Sequence, residues 1–394
     1  MSNNNETISV SAEIKQKATM KPFDVYPLYD VTPVSAKGIV VTDDQGKEYL
    51  DFYGGHAVIS IGHSHPHYIK QLKDQLDRIG FYSNSIQNPL QVELAEKLGQ
   101  LSDCEDYNLF LCNSGAEANE NALKLASFQT GKSRVIAFKN GFHGRTSAAV
   151  AVTDNANINA PINKQQKVTF LSFNDEEAFQ NEIEKGDVCA VIIETIQGVG
   201  GLDEPSTAFY QRVAEQCKAH GVLLIADEVQ CGFGRSGKFF AFQHHGIKPD
   251  IITIAKGMGN GFPVGGVLIH ESIKAVYGML GTTFGGNHLA CAATIAVLEV
   301  IEKEQLLENA TKLGERFKKR AAEIPQVKRV KGRGLMLGLE FDFEVADLRK
   351  RLIHNQHIFT GGAKDKKVLR FLPALNITEA HLDTFFEALQ KELS

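Results

Sequence analysis

The sequence predicts an α/β sandwich built on a mostly parallel sheet, joined to a smaller α+β unit made from the two ends of the chain. Three observations predict it. From about residue 66 to 280, short apolar runs alternate with amphipathic helical patterns, the pattern of strand–helix–strand crossovers. After about residue 285 long helical stretches take over, with only two strand-like runs between them. Near the N-terminus, a lone strand–turn–strand segment cannot bury an apolar face by itself and needs a partner.

Taken in order, the polar opening MSNNNETISVSAEIKQKATM lacks the apolar core of a secretory signal and is expected to be a loosely docked arm. Gly38–Phe52 reads as a hairpin turning at Asp-Asp-Gln-Gly. Seven strands are then expected, over Tyr107–Cys112, Arg134–Phe138, Lys167–Leu171, Val188–Glu194, Val222–Ala226, Ile251–Ala255 and Gly266–His270. Helical patterns such as Glu117–Gln129 and Ser206–His220 separate several of them. Beyond them come a long helix over His288–Ala322, a strand over Gly334–Phe341, a helix over Phe343–Asn355, a strand over Val368–Phe371 and a last helix over Thr378–Leu393. The expected division is an arm and hairpin (1–60), a large domain (61–284) and a small C-terminal domain (285–394), the first packing with the third. There is no internal repeat and no low-complexity linker.

At 394 residues, 43% apolar and 23% charged, the composition is that of a soluble globular protein. A net charge of −5 without a lysine or arginine cluster argues against nucleic acid and anionic membrane as partners. No apolar run is long enough to span a bilayer. The six cysteines form no C-x-x-C pair and read as reduced thiols, which predicts a cytoplasmic protein.

Ligands of open α/β sheets sit beyond the carboxyl ends of the strands, so the residues after each strand carry the functional argument. Ser114-Gly115-Ala116 opens a helix whose free N–H groups and positive dipole end suit a phosphate. Phe142, His143 and Arg145 lie on the turn after the second strand, and Asp227 ends the fifth. Lys256 comes directly after the run IITIA and leads a glycine-rich loop. Each feature alone has an ordinary structural reading, as a cap, a solvated charge or an end-of-strand polar residue. Together they place a phosphate cradle, an aromatic ring, a carboxylate and a lysine at one rim. A partly desolvated lysine has a depressed pKa and can condense with a carbonyl. A cofactor with an aldehyde, a phosphate and a ring nitrogen would use all four: Lys256 for the aldehyde, the Ser114–Ala116 turn for the phosphate, Phe142 against the ring and Asp227 at its nitrogen. Pyridoxal 5′-phosphate is such a cofactor.

The motifs NSGAEANENALKLA, FHGRT, IADEVQCGFGRSGKFFAF, IAKGMGNGFPVGGV, GTTFGGNHLACAA and RGLMLGLEF resemble those of the class III aminotransferases of the type I pyridoxal-phosphate-dependent transferase fold. The resemblance runs from about Phe23 onward. LDFYGGHAVISIGHSHP and VLRFLPALNIT are most similar to the N-acetylornithine and N-succinylornithine aminotransferases of arginine biosynthesis. The resemblance implies that Lys256 carries the cofactor and moves the proton, that Asp227 pairs with the ring nitrogen, and that Gln230 sits near the ring oxygen. It implies a homodimer in which Thr283 of one subunit completes the phosphate site of the other, with Thr282 beside it toward substrate. Arg145 would hold the substrate carboxylate far from the reacting amine, and Arg370 the α-carboxylate of glutamate or 2-oxoglutarate. The implied reaction moves the δ-amino group of an N-acylornithine to 2-oxoglutarate.

Two positions depart from neighbouring patterns. The family usually reads E-P-I-Q-G-E-G-G where this chain has Glu194-Thr-Ile-Gln-Gly-Val199-Gly-Gly201, so the acid that commonly faces the Arg370-type arginine is missing. Position 56 is histidine, where ornithine δ-aminotransferases usually carry tyrosine. Another ω-aminotransferase, for ornithine, 4-aminobutyrate or lysine, would share every cofactor residue. A dinucleotide site at Gly257-x-Gly259-x-Gly261 fails because the third glycine comes one position early and Pro263 lies close behind. A phosphate-binding loop ending at Gly131-Lys132-Ser133 fails because Ala126 stands where its first glycine belongs. Gly62-His-Ser-His-Pro-His67 resembles a turn the family carries without metal, so no metal site is expected. A binding protein without catalysis would have no use for Lys256 and Asp227 together.

Overall fold

β-branched and aliphatic runs that can be buried on both faces become the strands of the central sheet, and the amphipathic stretches between them become its covering helices. In the computed structural model, which describes residues 20–394, the hairpin region forms β1 (Pro33–Lys37), β2 (Val40–Asp43) and β3 (Glu48–Asp51). The expected arm over the first ~20 residues lies outside the described residues. Helices α1 (Pro66–Leu76) and α2 (Pro89–Ser102) come next, each with proline in its first turn. The central run is β4 (Tyr107–Cys112), α3 (Gly115–Thr130), β5 (Arg134–Phe138), α4 (Ser147–Ala151), β6 (Val168–Leu171), α5 (Glu176–Ile183), β7 (Val188–Ile193), α6 (Thr207–His220), β8 (Leu223–Asp227), β9 (Ile251–Ile254) and β10 (Gly265–His270).

These seven strands form one sheet in the order β4-β10-β9-β8-β7-β5-β6. β5, β6, β7, β8 and β9 pair in parallel, while β10 runs antiparallel to both β4 and β9. Every residue of β5, β7 and β9 is buried, as expected of strands covered on both faces. The carboxyl ends of β4, β5, β7, β8 and β9 therefore share one rim, and β10 begins there.

The rest of the chain is α7 (His288–Lys303), α8 (Leu306–Ala322), β11 (Arg329–Arg333), β12 (Met336–Glu340), α9 (Ala346–Gln356), β13 (Ile358–Phe359), β14 (Gly361–Gly362), β15 (Val368–Phe371) and α10 (Glu379–Leu393). The helix expected over His288–Ala322 is two helices: Gln305 takes a left-handed conformation (φ 52°) and breaks it. Helical periodicity carries no mark of such a break, because Gln305 is neither glycine nor proline. Four strands were also hidden in the sequence: β1, β11 and the two-residue strands β13 and β14. β1 is mostly exposed, and β11 (RVKGR) is too polar to read as a strand, yet it pairs with β12 along its whole length.

β13 adds to β3 in parallel, so the early hairpin is tied to the C-terminal segment. Phe52 of the hairpin stacks on Phe371 at 4.9 Å between ring centres. Phe371 also meets Phe317 of α8 at 4.5 Å and Phe385 of α10 at 5.0 Å. This aromatic core supplies the apolar face that the hairpin lacks alone. Arg235, fully buried, donates to the carbonyls of Ile59, Leu335 and Pro373 and fastens the loop after β8 to both chain ends. Among the described residues no helix is long and apolar enough to cross a membrane.

Candidate active site

A cavity of about 400 Å³ opens at the rim where the strands end. Lys256, Asp227, Phe142, Gln230 and the Ser114–Ala116 turn all line it, so the residues expected to meet a cofactor converge in space.

β8 delivers Asp227 into the cavity floor, where it is buried. Its Oδ2 accepts hydrogen bonds from Asn119 Nδ2 (2.8 Å) and His143 Nδ1 (2.7 Å), and its Oδ1 accepts from the Val229 N–H (3.1 Å). Asn119 is fixed in turn by Thr253 Oγ1, which donates to its Oδ1 at 2.7 Å. Burial alone would lower the pKa of His143, but its hydrogen bond to Asp227 and that carboxylate's charge prevail and raise it. The imidazole is thus held as a donor, which aims the carboxylate.

β9 ends one residue before Ala255, and Lys256 then takes a left-handed conformation (φ 49°), rare for a residue with a side chain. The turn after it is nailed down from outside. Ser60 Oγ donates to the Gly257 carbonyl (2.7 Å), Tyr68 OH to the Gly259 carbonyl (2.7 Å), and Asn260 Oδ1 accepts from the Ser60 and Ile61 N–H groups. Desolvation pushes the Lys256 pKa below the usual lysine range, against the opposing pull of Asp227 and Glu194. The amine is therefore neutral more often than an ordinary lysine, as a nucleophile must be.

At the start of α3, Ser114 caps the helix by accepting the Glu117 N–H at 3.2 Å. The Gly115 and Ala116 N–H groups, the first two of the helix, have no intrahelical acceptor, and both residues line the cavity. A Cβ at position 115 would lie 2.5 Å from Val229 Cγ1, so only glycine fits against the loop after β8. Gln230 Nε2 donates to the His56 carbonyl at 3.3 Å, and its Oε1 is buried without a hydrogen-bond partner, so this amide is only half satisfied within the protein. An amine, a buried carboxylate, free helix N–H groups, a flat ring and a half-satisfied amide are a set that pyridoxal phosphate can use, so the residues present fit that cofactor.

The expected substrate residues are placed differently from one another. Arg145 lines the cavity, is exposed, and makes no hydrogen bond or ion pair among the described residues. Arg370 is buried behind the wall: Nη1 donates to the Gly198 carbonyl (2.8 Å), Nε to the Gly362 carbonyl (2.5 Å) and Nη2 to Tyr53 OH (3.3 Å). Its guanidinium also lies 5.6 Å from the Tyr53 ring centre. Neutral acceptors and an aromatic face thus surround the arginine, and the apolar side chain of Val199 lines the cavity next to them. Thr282 and Thr283 are not brought to this cavity. They sit on a loop held by Asn84, whose Nδ2 donates to the Thr282 carbonyl, and Thr283 is exposed. The histidines of Gly62–His67 diverge: His63 meets Asp51, His65 meets Glu304 and His67 meets Glu299.

Sequence reasoning passed over Asn119, Glu194 and the loop-anchoring Asn260. Asn119 left a usable signal, being a polar residue among the small apolar ones (Ala118, Ala122, Ala126) that mark the buried face of α3. Glu194 was visible as a strand-ending acid. Asn260 acts across some two hundred residues of chain, a relation that no local pattern carries.

The model of the class III aminotransferases matches residues 24–393. A curated acetylornithine aminotransferase of Bacillus subtilis (strain 168) is 42% identical over 375 residues, covering 94% of this chain and 96% of the relative. The acetylornithine aminotransferase of Archaeoglobus fulgidus is 40% identical, covering 90% and 93%. Among solved structures, the ornithine aminotransferase of Toxoplasma gondii ME49 superposes with a TM-score of 0.87 at 28% identity, over 96% of this chain and 93% of that one. Another structure of a Toxoplasma gondii ornithine aminotransferase, described with partial occupancy of pyridoxal phosphate at its active site, gives 0.85 at 28% identity. With this match over nearly the whole chain and the site residues gathered at one rim, the protein belongs to the class III aminotransferases, enzymes of the type I fold that work with pyridoxal phosphate.

Proposed function

We propose that the protein transfers the δ-amino group of an N-acylornithine, with N-acetylornithine as the first choice, to 2-oxoglutarate, and in the reverse direction serves arginine biosynthesis. The observation that carries this reading is the unpartnered Arg145 at the mouth of the Lys256 cavity, in a chain 42% and 40% identical to two named acetylornithine aminotransferases. A guanidinium so placed suits the α-carboxylate of a substrate whose reacting amine is at the other end. Arg370 suits the α-carboxylate of glutamate and 2-oxoglutarate, which must lie beside the reacting carbon.

Bound pyridoxal phosphate supplies an aldehyde that captures amines and a protonated ring that draws electrons from the carbon being deprotonated. Asp227 would keep the ring nitrogen protonated, and His143 and Asn119 keep Asp227 in place. Ser114, Gly115 and Ala116 would hold the phosphate, Phe142 would cover the ring, and Gln230 would meet its oxygen. Lys256 Nζ would give way to the substrate amine and carry the proton from the carbon bearing that amine to the carbon that held the cofactor aldehyde, and would run the same transfer in reverse with 2-oxoglutarate. Water then releases N-acylglutamate semialdehyde, and 2-oxoglutarate leaves as glutamate after the return half of the cycle. Thr282 and Thr283 belong to the cavity of a partner copy in a homodimer. Exposed Tyr277 and Phe284 flank that loop, an apolar surface that a second copy would cover.

The test is a side-by-side assay of acetylornithine, succinylornithine and free ornithine with 2-oxoglutarate. The highest kcat/KM is expected for acetylornithine. A preference for free ornithine, the substrate named for the structurally similar Toxoplasma gondii enzyme, would overturn the acyl assignment.

A further inference from the structure

We propose that Glu194 is a positioning residue that holds the ring-covering wall and the carboxylate-binding wall of the cavity in register, so that affinity for substrate carboxylates depends on it. The inference rests on the transaminase reading of the same cavity. Glu194 comes directly after β7, is buried, and lines the cavity. Both of its oxygens are committed to backbone: Oε1 accepts the Phe142 N–H at 2.8 Å and Oε2 accepts the Gly198 N–H at 3.0 Å. Gly198 connects onward to two further groups of the site. Its carbonyl accepts from Arg370 Nη1 at 2.8 Å, and a Cβ on it would fall 1.8 Å from Gln230 Oε1. One carboxylate thus joins Phe142, Gln230 and Arg370, which come from three different parts of the chain.

Both partners of Glu194 are amides, so the acid fixes backbone rather than neutralising a side chain. Burial pushes its pKa up to about 7, with Asp227 adding to the rise and His143 and the two amides opposing it. Lys256 and Arg370 are the other charges that feel it. A buried acid without an ion-pair partner is costly to the fold, and the geometry it imposes on both walls is what it contributes. In Glu194→Gln the side chain keeps its shape but offers one oxygen and one NH2, so one of the two backbone N–H groups meets a donor.

The test uses holoenzyme saturated with pyridoxal phosphate and measures binding of glutarate, a five-carbon dicarboxylate without a reacting group, by calorimetry. Cofactor affinity is monitored in parallel by visible absorbance. Glu194→Gln is expected to weaken glutarate about tenfold or more and to loosen the cofactor. Glu228→Gln is the control. Glu228 is equally buried and also accepts two backbone N–H groups, from Ala241 (2.8 Å) and Phe242 (2.9 Å), but it does not line the cavity. Its loss should lower the melting temperature and leave glutarate affinity within about twofold. Glutarate binding unchanged in Glu194→Gln, or weakened alike in both variants, overturns the proposal. Should Glu194→Gln not yield folded holoenzyme, Glu194→Asp, which is too short to reach both amides, is judged by the same limits. Wild-type protein that neither transaminates nor binds glutarate would instead sink the functional reading, before Glu194 is at issue.

Discussion

Lys256 shows at the scale of one side chain how the site is prepared: a buried strand delivers it, an unusual backbone conformation turns it, and desolvation keeps its amine available. Lys256→Ala is expected to bind pyridoxal phosphate without a covalent link and to lose transamination; borohydride reduction and mass spectrometry should mark wild type at this lysine and leave the variant unmarked. Asp227→Asn should fold and lose most of its turnover, because the neutral amide no longer favours a protonated ring nitrogen; unchanged kcat would remove that role. Arg145→Ala should lower kcat/KM for acetylornithine by roughly 1.5–3 kcal/mol, the usual worth of a hydrogen bond to a charged group, and steady-state kinetics reads this directly. Val199→Glu would set a carboxylate beside the turn that holds Arg370, and the KM for glutamate should rise while that for acetylornithine changes less.

Between elements, the fit of α3 against the loop after β8 is the tightest constraint on the phosphate end. Gly115→Ala would force a methyl group to within 2.5 Å of Val229. The expected result is an overpacking cost of about 1–3 kcal/mol and a higher dissociation constant for pyridoxal phosphate, measured by thermal melting and by absorbance titration. Elements of this kind were legible in the sequence wherever burial and periodicity agreed. Tyr107–Cys112, Arg134–Phe138 and Val368–Phe371 were bounded correctly because each is an apolar run between turn residues. The site was legible for a related reason: strand ends can be located from apolar runs, and Ser114, Phe142, Asp227 and Lys256 all stand at or just past one. Illegible were the features created by distant contact. β11 becomes a strand only because β12 lies beside it, the break at Gln305 has no local cause, and Arg370's neutral surroundings come from Tyr53, Gly198 and Gly362 together.

For the whole molecule, the aromatic core around Phe371 joins the two chain ends to each other, and the buried guanidinium of Arg235 fastens them to the loop after β8. Desolvation lowers the Arg235 pKa to about 10, still well above neutrality, so it remains a cation donating to three carbonyls. Arg235→Ala would leave those carbonyls without their donor, and a loss of about 3 kcal/mol or more is expected. Urea unfolding at fixed cofactor concentration measures it. The position of Thr282 and Thr283 outside their own chain's cavity has its own consequence for assembly. If a partner copy receives them, Thr283→Ala should weaken pyridoxal phosphate binding although Thr283 does not line the cavity of its own chain. Sedimentation should show a dimer at assay concentrations, and a fully active monomer would rule that arrangement out.

The neutral cage around Arg370 bears on how the enzyme must be handled at the bench. A guanidinium has five N–H donors, and carbonyls and a phenol engage three of its nitrogens without cancelling its charge. Acetate or formate in a buffer should settle onto it and masquerade as weak competitive inhibition toward glutamate, so kinetics gathered in such buffers would understate how readily the amino donor enters.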